Sequence, residues 1–458
     1  MKERSLLLRC LIICLAFISC TPASEVTASV SANPQPEQYG TPFNDVPDAR
    51  DAVIYQVNTR CFSSTRNFNG VIARLDSIKN LGVNVLYLMP IYPVGSLNGC
   101  NSPYCVKDYQ AVNTEFGNLS DLRSLIAGAH ERGMAVILDW VANHTSWDNA
   151  WIKNKSWYKQ DASGNIVAPN SEWKDVAQLN FENADMRQAM IAAMKYWVYT
   201  ANCDGFRCDY ADGPSESFWH QAIDTLRNLS SHKLLLLAEG SGSRHFSEGF
   251  NYVFGFSFYG QLKSIYSNVN TSVKTLDQVN ATEYAGASDE NRVVRYITNH
   301  DVNSSDGTPL ALFGGASGSM SAFVAAAYMK GVPMIYNGQE VGTPNQLLFP
   351  FTSSSIDWSL NKPMVAEYKK IINLWNSCTT LRRGTLTTYH SDDVCAFTKT
   401  SGSEMVLVLI NMRSTTSNYA LPSALANTNW TDAFSGLAAD FGSSISMAPY
   451  SYRIVRNK

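Results

Sequence analysis

The chain has 458 residues, a formal net charge of −3, 45% hydrophobic and 16% charged side chains. That is an ordinary soluble globular composition, long enough for one large domain with a smaller one, or for two to three medium ones. The near-neutral charge gives no basis for a nucleic-acid partner or an anionic membrane surface.

The first segment, MKERSLLLRCLIICLAFISC, carries Lys2, Arg4 and Arg9 ahead of an apolar run from Cys10 to Ile18. The run is shorter than the ~20 residues a spanning helix needs, and it reads as an export signal. Its end, FISC, followed by small and polar residues, resembles a bacterial lipoprotein signal. That resemblance implies a lipidated Cys20 as the new N-terminus, although Phe17 stands where such signals usually carry Leu. A plain signal peptide is the alternative. Residues 1–20 are thus expected to be a lipoprotein signal peptide and the Ser/Pro/Gln-rich residues 21–43 a flexible tether. Membrane contact is then expected only through a lipid anchor on Cys20.

Beyond Cys20 the cysteines are Cys61, Cys100, Cys105, Cys203, Cys208, Cys378 and Cys395. An odd number leaves at least one free thiol. Cys100 and Cys105, in the polar loop GSLNGCNSPYC, are the best candidates to pair, and no His/Cys spacing resembles a zinc site.

From Ala52 two textures alternate. Strand-like apolar runs fall at 52–58, 83–89, 134–140, 204–208, 233–239, 250–256, 292–299 and 332–337. Helical patterns fall at 69–82, at 119–133 with Ser120 as N-cap, at 182–201, 215–230, 318–331 and 363–377, with a helical region near 259–279. An irregular, Trp-rich stretch interrupts the alternation after the third strand. Eight β–α units with near-continuous apolar strands predict a closed (β/α)8 TIM barrel over residues 44–377, with a short insertion at 145–182. An open doubly wound sheet is the alternative, but no Gly-rich phosphate loop follows the first strand. After 378 short β-type runs with no helix between them predict a C-terminal antiparallel β domain, 378–458.

Barrels of this type carry their functional residues at the C-terminal ends of the strands. There the third strand offers Asp139, Asn143 and His144, and the fourth Arg207 and Asp209. The fifth offers Glu239, and the seventh Asn299, His300 and Asp301. Asp139 reads as a structural residue. Any single acid could be a helix N-cap, but three acids with two His and an Arg are hard to explain by capping. Paired carboxylates are the machinery of glycoside hydrolysis, in which one is held protonated and the other ionised. Arg207, two residues before Asp209 on a strand, shares its face and is expected to keep it ionised. Glu239 follows the apolar run LLLLA, which is expected to raise its pKa.

The motifs DWVANH, GFRCD, LAEG and TNHD, in this order and spacing, resemble the α-amylase family of retaining α-glucan-active glycosidases. IYQVNTRCFS, SPYCVKDYQAVNTEFG and GVPMIYNGQEVG match as well, so the resemblance spans residues 50–458. It implies Asp209 as nucleophile, Glu239 as general acid/base and Asp301 as transition-state stabiliser. It also implies Arg207 orienting Asp209, His144 and His300 on sugar hydroxyls, and Tyr104, with Asp108 after it, stacking on the sugar. A separation of ~5–5.5 Å between Asp209 and Glu239 gives retention through a covalent glycosyl-enzyme.

No cofactor is required. Asn143 matches the family's calcium ligand, so a structural calcium is conceivable, but Gln178 stands where many calcium-binding members have Asp. Asp212 and Gly213 replace a Lys–His pair of many starch α-amylases, so the leaving-side subsites are expected to differ. Of Trp147, Trp151, Trp157, Tyr158 and Trp173, one at most is expected to serve as a sugar platform, the others and Trp375 being core. The implied activity is an exported hydrolase of α-1,4-glucans. Alternatives on the same scaffold are an α-glucan transferase or a pullulan- or cyclodextrin-cleaving enzyme. The cyclodextrin form is disfavoured because only the leader and tether precede the barrel. A non-catalytic glucan-binding lipoprotein is the rival of another class, against which the three carboxylates stand.

Overall fold

Eight strands whose residues are almost all buried close into one parallel barrel in the computed structural model, which describes residues 35–99 and 101–457. The export signal, Cys20, most of the expected tether and Cys100 lie outside the described residues, and with Cys100 the expected pairing to Cys105. In chain order the strands are β1 (Ile54–Val57), β2 (Val85–Leu88), β3 (Ala135–Val141), β4 (His144–Ser146), β5 (Val176–Gln178) and β6 (Gly205–Asp209). They continue with β7 (Leu235–Ala238), β8 (Tyr252–Phe254), β9 (Arg292–Arg295) and β10 (Val332–Tyr336). The barrel runs β1–β2–β3–β6–β7–β8–β9–β10 and closes through β10 onto β1, with Tyr55 opposite Ile335. All eight barrel strands fall within or across the apolar runs expected from sequence. Both faces are covered, one by barrel filling and one by helices, which is why these strands are continuously apolar.

Gly205 opens β6 with φ +142°, and a Cβ there would sit 1.9 Å from the carbonyl oxygen of Leu235 on the neighbouring strand. Only glycine fits that approach. The helix Leu119–His130 starts two residues earlier than Ser120 allows. Asn118 is its N-cap, accepting from the Asp121 and Ser120 amides, while the Asp121 carboxylate accepts from the Asn118 amide. This reciprocal box satisfies three orphan donors, so it outcompetes a serine one turn position later. The expected helix over 69–82 is two short helices, Phe68–Ile72 and Leu75–Asn80.

The insertion after β3 is pinned to the barrel by the antiparallel pair β4–β5 and by the Leu179 amide donating to the Asn143 carbonyl, 3.2 Å. Its aromatics mostly pack among themselves and on the barrel. Trp151 meets Trp157 edge-on at 5.4 Å, and the buried Tyr158 hydroxyl bonds Thr145, 2.8 Å. Trp375 is core, 1% exposed.

Residues expected to belong to the flexible tether are in part docked. The Tyr39 amide donates to the Tyr199 carbonyl at 2.7 Å, Arg123 lies over the Tyr39 ring at 4.0 Å, and Phe43 stacks on His130 at 4.3 Å. The reason is ring stacking, of Tyr39 against Arg123 and of Phe43 against His130, which a Ser/Pro-rich average hides.

After the last barrel helix, Lys362–Ser377, and a short helix, Thr379–Arg383, the chain becomes all-β. Strands β11 (Thr385–Thr388), β12 (Val394–Ser401), β13 (Glu404–Asn411), β15 (Trp430–Asp432) and β17 (Tyr452–Asn457) form one antiparallel sheet, in the order β11–β12–β13–β17–β15. Strands β14 (Ser417–Ala420) and β16 (Ser444–Met447) pair separately. The sheet has two apolar faces. Cys395 and Phe397 join the barrel's core, whereas Val394, Ala396, Leu407 and Trp430 make a second, smaller core.

Candidate active site

The strand ends meet at a cavity of about 550 Å³ whose lining includes Tyr104, His144, Asp209, Asp212, Glu239, His300 and Asp301. Asp209 ends β6, Glu239 follows β7, and Asp301 sits in the first turn of a helix, His300–Ser305, that Asn299 caps after β9. Trp173 is the one insertion aromatic among the expected candidates that reaches the cavity, edge-on to His144 at 5.8 Å and to Tyr210 at 4.9 Å. Asp108 does not join: it is exposed and accepts from the Gln110 amide, 2.8 Å.

Arg207 organises the floor. It is fully buried, opposite Asp139 in the β3–β6 register. Its Nη1 donates to Asp139 Oδ1 at 2.7 Å and to Asp209 Oδ1 at 3.0 Å, and its Nη2 lies 2.5 Å from Glu239 Oε1. Asp139 in turn accepts from the Tyr87 hydroxyl at 2.6 Å and the Tyr104 hydroxyl at 3.2 Å. Asp139 is therefore a buried support for Arg207 and two tyrosines.

One guanidinium is shared by three carboxylates. Burial first, and then the charge of Glu239, push the Asp209 carboxyl well above its ordinary range, with Arg207 opposing. Burial likewise lifts Asp139 to about 6 against the pull of Arg207. Arg207 pulls Asp209 toward its ionised form, as expected, while desolvation and the nearby Glu239 charge pull the other way and raise the carboxyl overall. Glu239, which follows the apolar run LLLLA, touches Arg207 and accepts from the Tyr210 amide, 2.8 Å.

Both histidines are neutral. Burial lowers His300 to about 3, with Arg207 adding to it, and lowers His144 to about 4. Gln56 Nε2 lies 2.8 Å from His300 Nδ1. Reading that amide nitrogen as the donor assigns the ring proton to Nε2, which is 2.6 Å from the Tyr104 hydroxyl. A chain Gln56–His300–Tyr104–Asp139 results, and Tyr104 also lies nearly parallel to the His300 ring at 5.5 Å.

Sequence reasoning missed several contributors. Gln56 carried a legible signal, a lone amide inside an apolar strand. His245 and Glu248 carried none, because the contact that matters is tertiary. His245 Nε2 is 2.8 Å from Asp212 Oδ1 and Nδ1 is 2.6 Å from Glu248 Oε2. A carboxyl group at each ring nitrogen favours both nitrogens donating, that is, the charged imidazolium. Burial opposes its charge, but the bonds to Asp212 and Glu248 outweigh it and hold the imidazole above its ordinary range. Gly240 leaves the room: a Cβ there would lie 2.1 Å from His245 Nε2. Asp212 thus stands at the cavity wall as a fixed carboxylate, also accepting from the Ser241 amide, 3.2 Å.

Asn143, expected from the resemblance to be a calcium ligand, lies against His144 behind the cavity. It is fully buried, and its Nδ2 contacts His144 Nδ1 at 3.2 Å while its Oδ1 has no hydrogen-bond donor. Among the described residues, no group of three or more His, Cys, Asp or Glu could hold a metal ion.

A closed (β/α)8 barrel with acids, an arginine and two imidazoles converging on one cavity at its strand ends defines a protein of the glycoside hydrolase class. Residues 56–175 and 170–373 match the family described as alpha-amylase, catalytic domain, and the chain belongs to that family. Alpha-amylase 2 of Dictyoglomus thermophilum is 25% identical over 398 residues, covering 81% of this chain and 67% of that protein. Alpha-amylase MalA of Haloarcula japonica is 25% identical over 423 residues, covering 86% of this chain and 60% of that protein. The chain thus spans about two thirds or less of these relatives' lengths. The fold matches that of an alpha-amylase from Lactobacillus plantarum with a TM-score of 0.80 at 24% identity, covering 90% of this chain and 100% of that one.

Proposed function

We propose that the protein hydrolyses α-1,4-glucosidic bonds of starch and maltodextrins with retention of configuration. The observation that carries this reading is the placing of Asp209, Glu239 and Asp301 around one cavity with His144 and His300. Asp209 attacks the anomeric carbon, Glu239 protonates the leaving oxygen and then activates water, and Asp301 stabilises the oxocarbenium-like transition state. Asp301 suits that role because its side chain is 56% exposed and reaches the open mouth. His144 and His300, being neutral, can hydrogen-bond sugar hydroxyls without adding charge to the developing cation. Tyr104 offers its ring beside them. Names among the relatives, alpha-amylase above all but also a cyclomaltodextrinase from Bacillus sp, support an α-glucan substrate.

Chromatography of products from maltoheptaose, soluble starch and pullulan tests this. Shorter maltooligosaccharides with pullulan intact are expected, and Asp209→Asn is expected to slow their formation about 10⁴-fold. Wild-type rates in Asp209→Asn would overturn the assignment. Products longer than maltoheptaose would instead mark a transferase, the reading that the changed leaving side at Asp212 and Gly213 favours next.

The same reading makes the protein an exported lipoprotein with residues 1–20 removed, Cys20 lipidated, the barrel over 44–377 catalytic and 378–458 accessory. The charged head and apolar run ahead of FISC support it. Cys20→Ser is expected to abolish incorporation of labelled palmitate and to release the protein from the membrane fraction. Labelling that survives the substitution would defeat the anchor.

A further inference from the structure

The cation-rich cavity lies far from the strand ends described above, between the bottom of the barrel and the C-terminal sheet. It measures about 640 Å³ and is lined by five cationic side chains, Arg292, Lys330, Arg382, Arg383 and Lys399, against two carboxylates, Asp277 and Asp289. Arg292 opens β9, Lys330 follows the helix Gly315–Tyr328, and Lys399 belongs to β12.

Some of these charges are already answered. Arg382 and Arg383 both pair with Asp51, at 2.9 and 2.5 Å. The neighbouring buried Arg295 lies 2.5 Å from Glu283 and donates to Asn280, 2.9 Å. Arg292 spends its Nη1 on the carbonyls of Asp289 and Asn291, both at 2.7 Å, and Lys330 rests its ammonium over the Tyr284 ring at 3.9 Å. Of the acids, Asp277 faces His390 at 3.4 Å.

Lys399 is different. It alternates with Cys395 and Phe397 on the sheet face turned to the barrel, lines the cavity, and is only 4% exposed. Among the described residues no hydrogen bond or ion pair reaches its ammonium. The charges that act on it are those of Arg292 and Lys330, both of its own sign, and with burial they lower it to about 7. A lysine in the interior is rare unless paired. Here the missing partner is an anion: Lys399, Lys330 and Arg292, none of them in an ion pair among the described residues, face one space in which Asp289 is the acid acting on Lys330 and Arg292.

We propose that this cavity binds a phosphate-class oxyanion, held by Lys399, Lys330 and Arg292. The ligand is either free phosphate or the phosphoryl group of a sugar phosphate, for which the volume leaves room. Because Lys399 comes from the sheet and the other two from the barrel, binding ties the two parts together. This inference is independent of the reaction at the strand ends.

Calorimetric titration and thermal unfolding of the full chain test it, with inorganic phosphate replacing chloride at constant ionic strength. At phosphate about a hundredfold above Kd, Tm is expected to rise by about 3 °C. Lys399→Met and Lys330→Met are each expected to weaken phosphate at least about tenfold, whereas the exposed Lys153→Met keeps wild-type affinity. Lys399→Met is also expected to raise Tm without phosphate, since it removes a buried unpaired charge. Should that variant not fold, Lys330→Met reads the same affinity. Glucose 6-phosphate binding more tightly than phosphate would identify a sugar phosphate, and equal binding the free oxyanion. No phosphate binding to the wild type, or binding unchanged in both lysine variants, would overturn the proposal.

Discussion

Arg207 decides the electrostatics of the cavity, because it is one cation with Asp139, Asp209 and Glu239 as claimants. Asp209 must be ionised to attack, yet burial and the charge of Glu239 both raise its pKa. The acid limb of kcat/KM therefore belongs above the ordinary aspartate range, near 3.9. Removing the Glu239 charge reverses one cause and frees Arg207 Nη2. In Glu239→Gln, assayed on α-maltosyl fluoride because fluoride leaves without protonation, the acid limb is expected to move down by about 1 pH unit or more. A limb that stays or rises would mean that Glu239 does not set the charge state of Asp209. How far these roles could be read from sequence follows from the same geometry. That Arg207 and Asp209 share a face follows from the strand period alone. That Arg207 also reaches Glu239 depends on the β6–β7 neighbourhood and on side-chain length, neither of which has a local signature.

The loops after β6 and β7 are joined by His245, and that junction shapes the cavity wall. Asp212 on one loop and Glu248 on the other grip opposite edges of the imidazolium. The clamp sets the Asp212 carboxylate beside Gly240 and Glu239, where a leaving-side sugar would lie. Asp212→Ala is expected to lower kcat/KM for maltoheptaose about 10- to 100-fold, the worth of a charge-assisted hydrogen bond. The same variant should act on α-maltosyl fluoride, which has no leaving-side sugar, within about threefold of wild type. Equal losses on both substrates would place Asp212 in a structural role. Sequence exposed this residue only as a departure from the Lys–His pair of relatives. Its partner His245 sits on a four-residue helix, Arg244–Ser247, too short to leave a periodic pattern. Element ends were harder to read than elements for a related reason: Asn118 beats Ser120 as a cap through a reciprocal bond that propensity alone does not rank.

The barrel was legible because eight buried parallel strands have to be apolar on both faces, a pattern that survives without any knowledge of neighbours. The C-terminal sheet was legible as β but not as two-faced. Its alternation in β12 reads the same whether the odd positions meet barrel or solvent, and only the folded chain puts Lys399 against the barrel. The docking of Tyr39 and Phe43 escaped for a similar reason, since two aromatics in a polar run reveal nothing of the groove that takes them. The proposed covalent glycosyl-enzyme on Asp209 would unite barrel, cavity and carboxylates, and it predicts stereochemistry. Proton NMR of maltoheptaose at early times of hydrolysis reads the anomer released before mutarotation. The account predicts the α-anomer first; a β-anomer appearing first would contradict it.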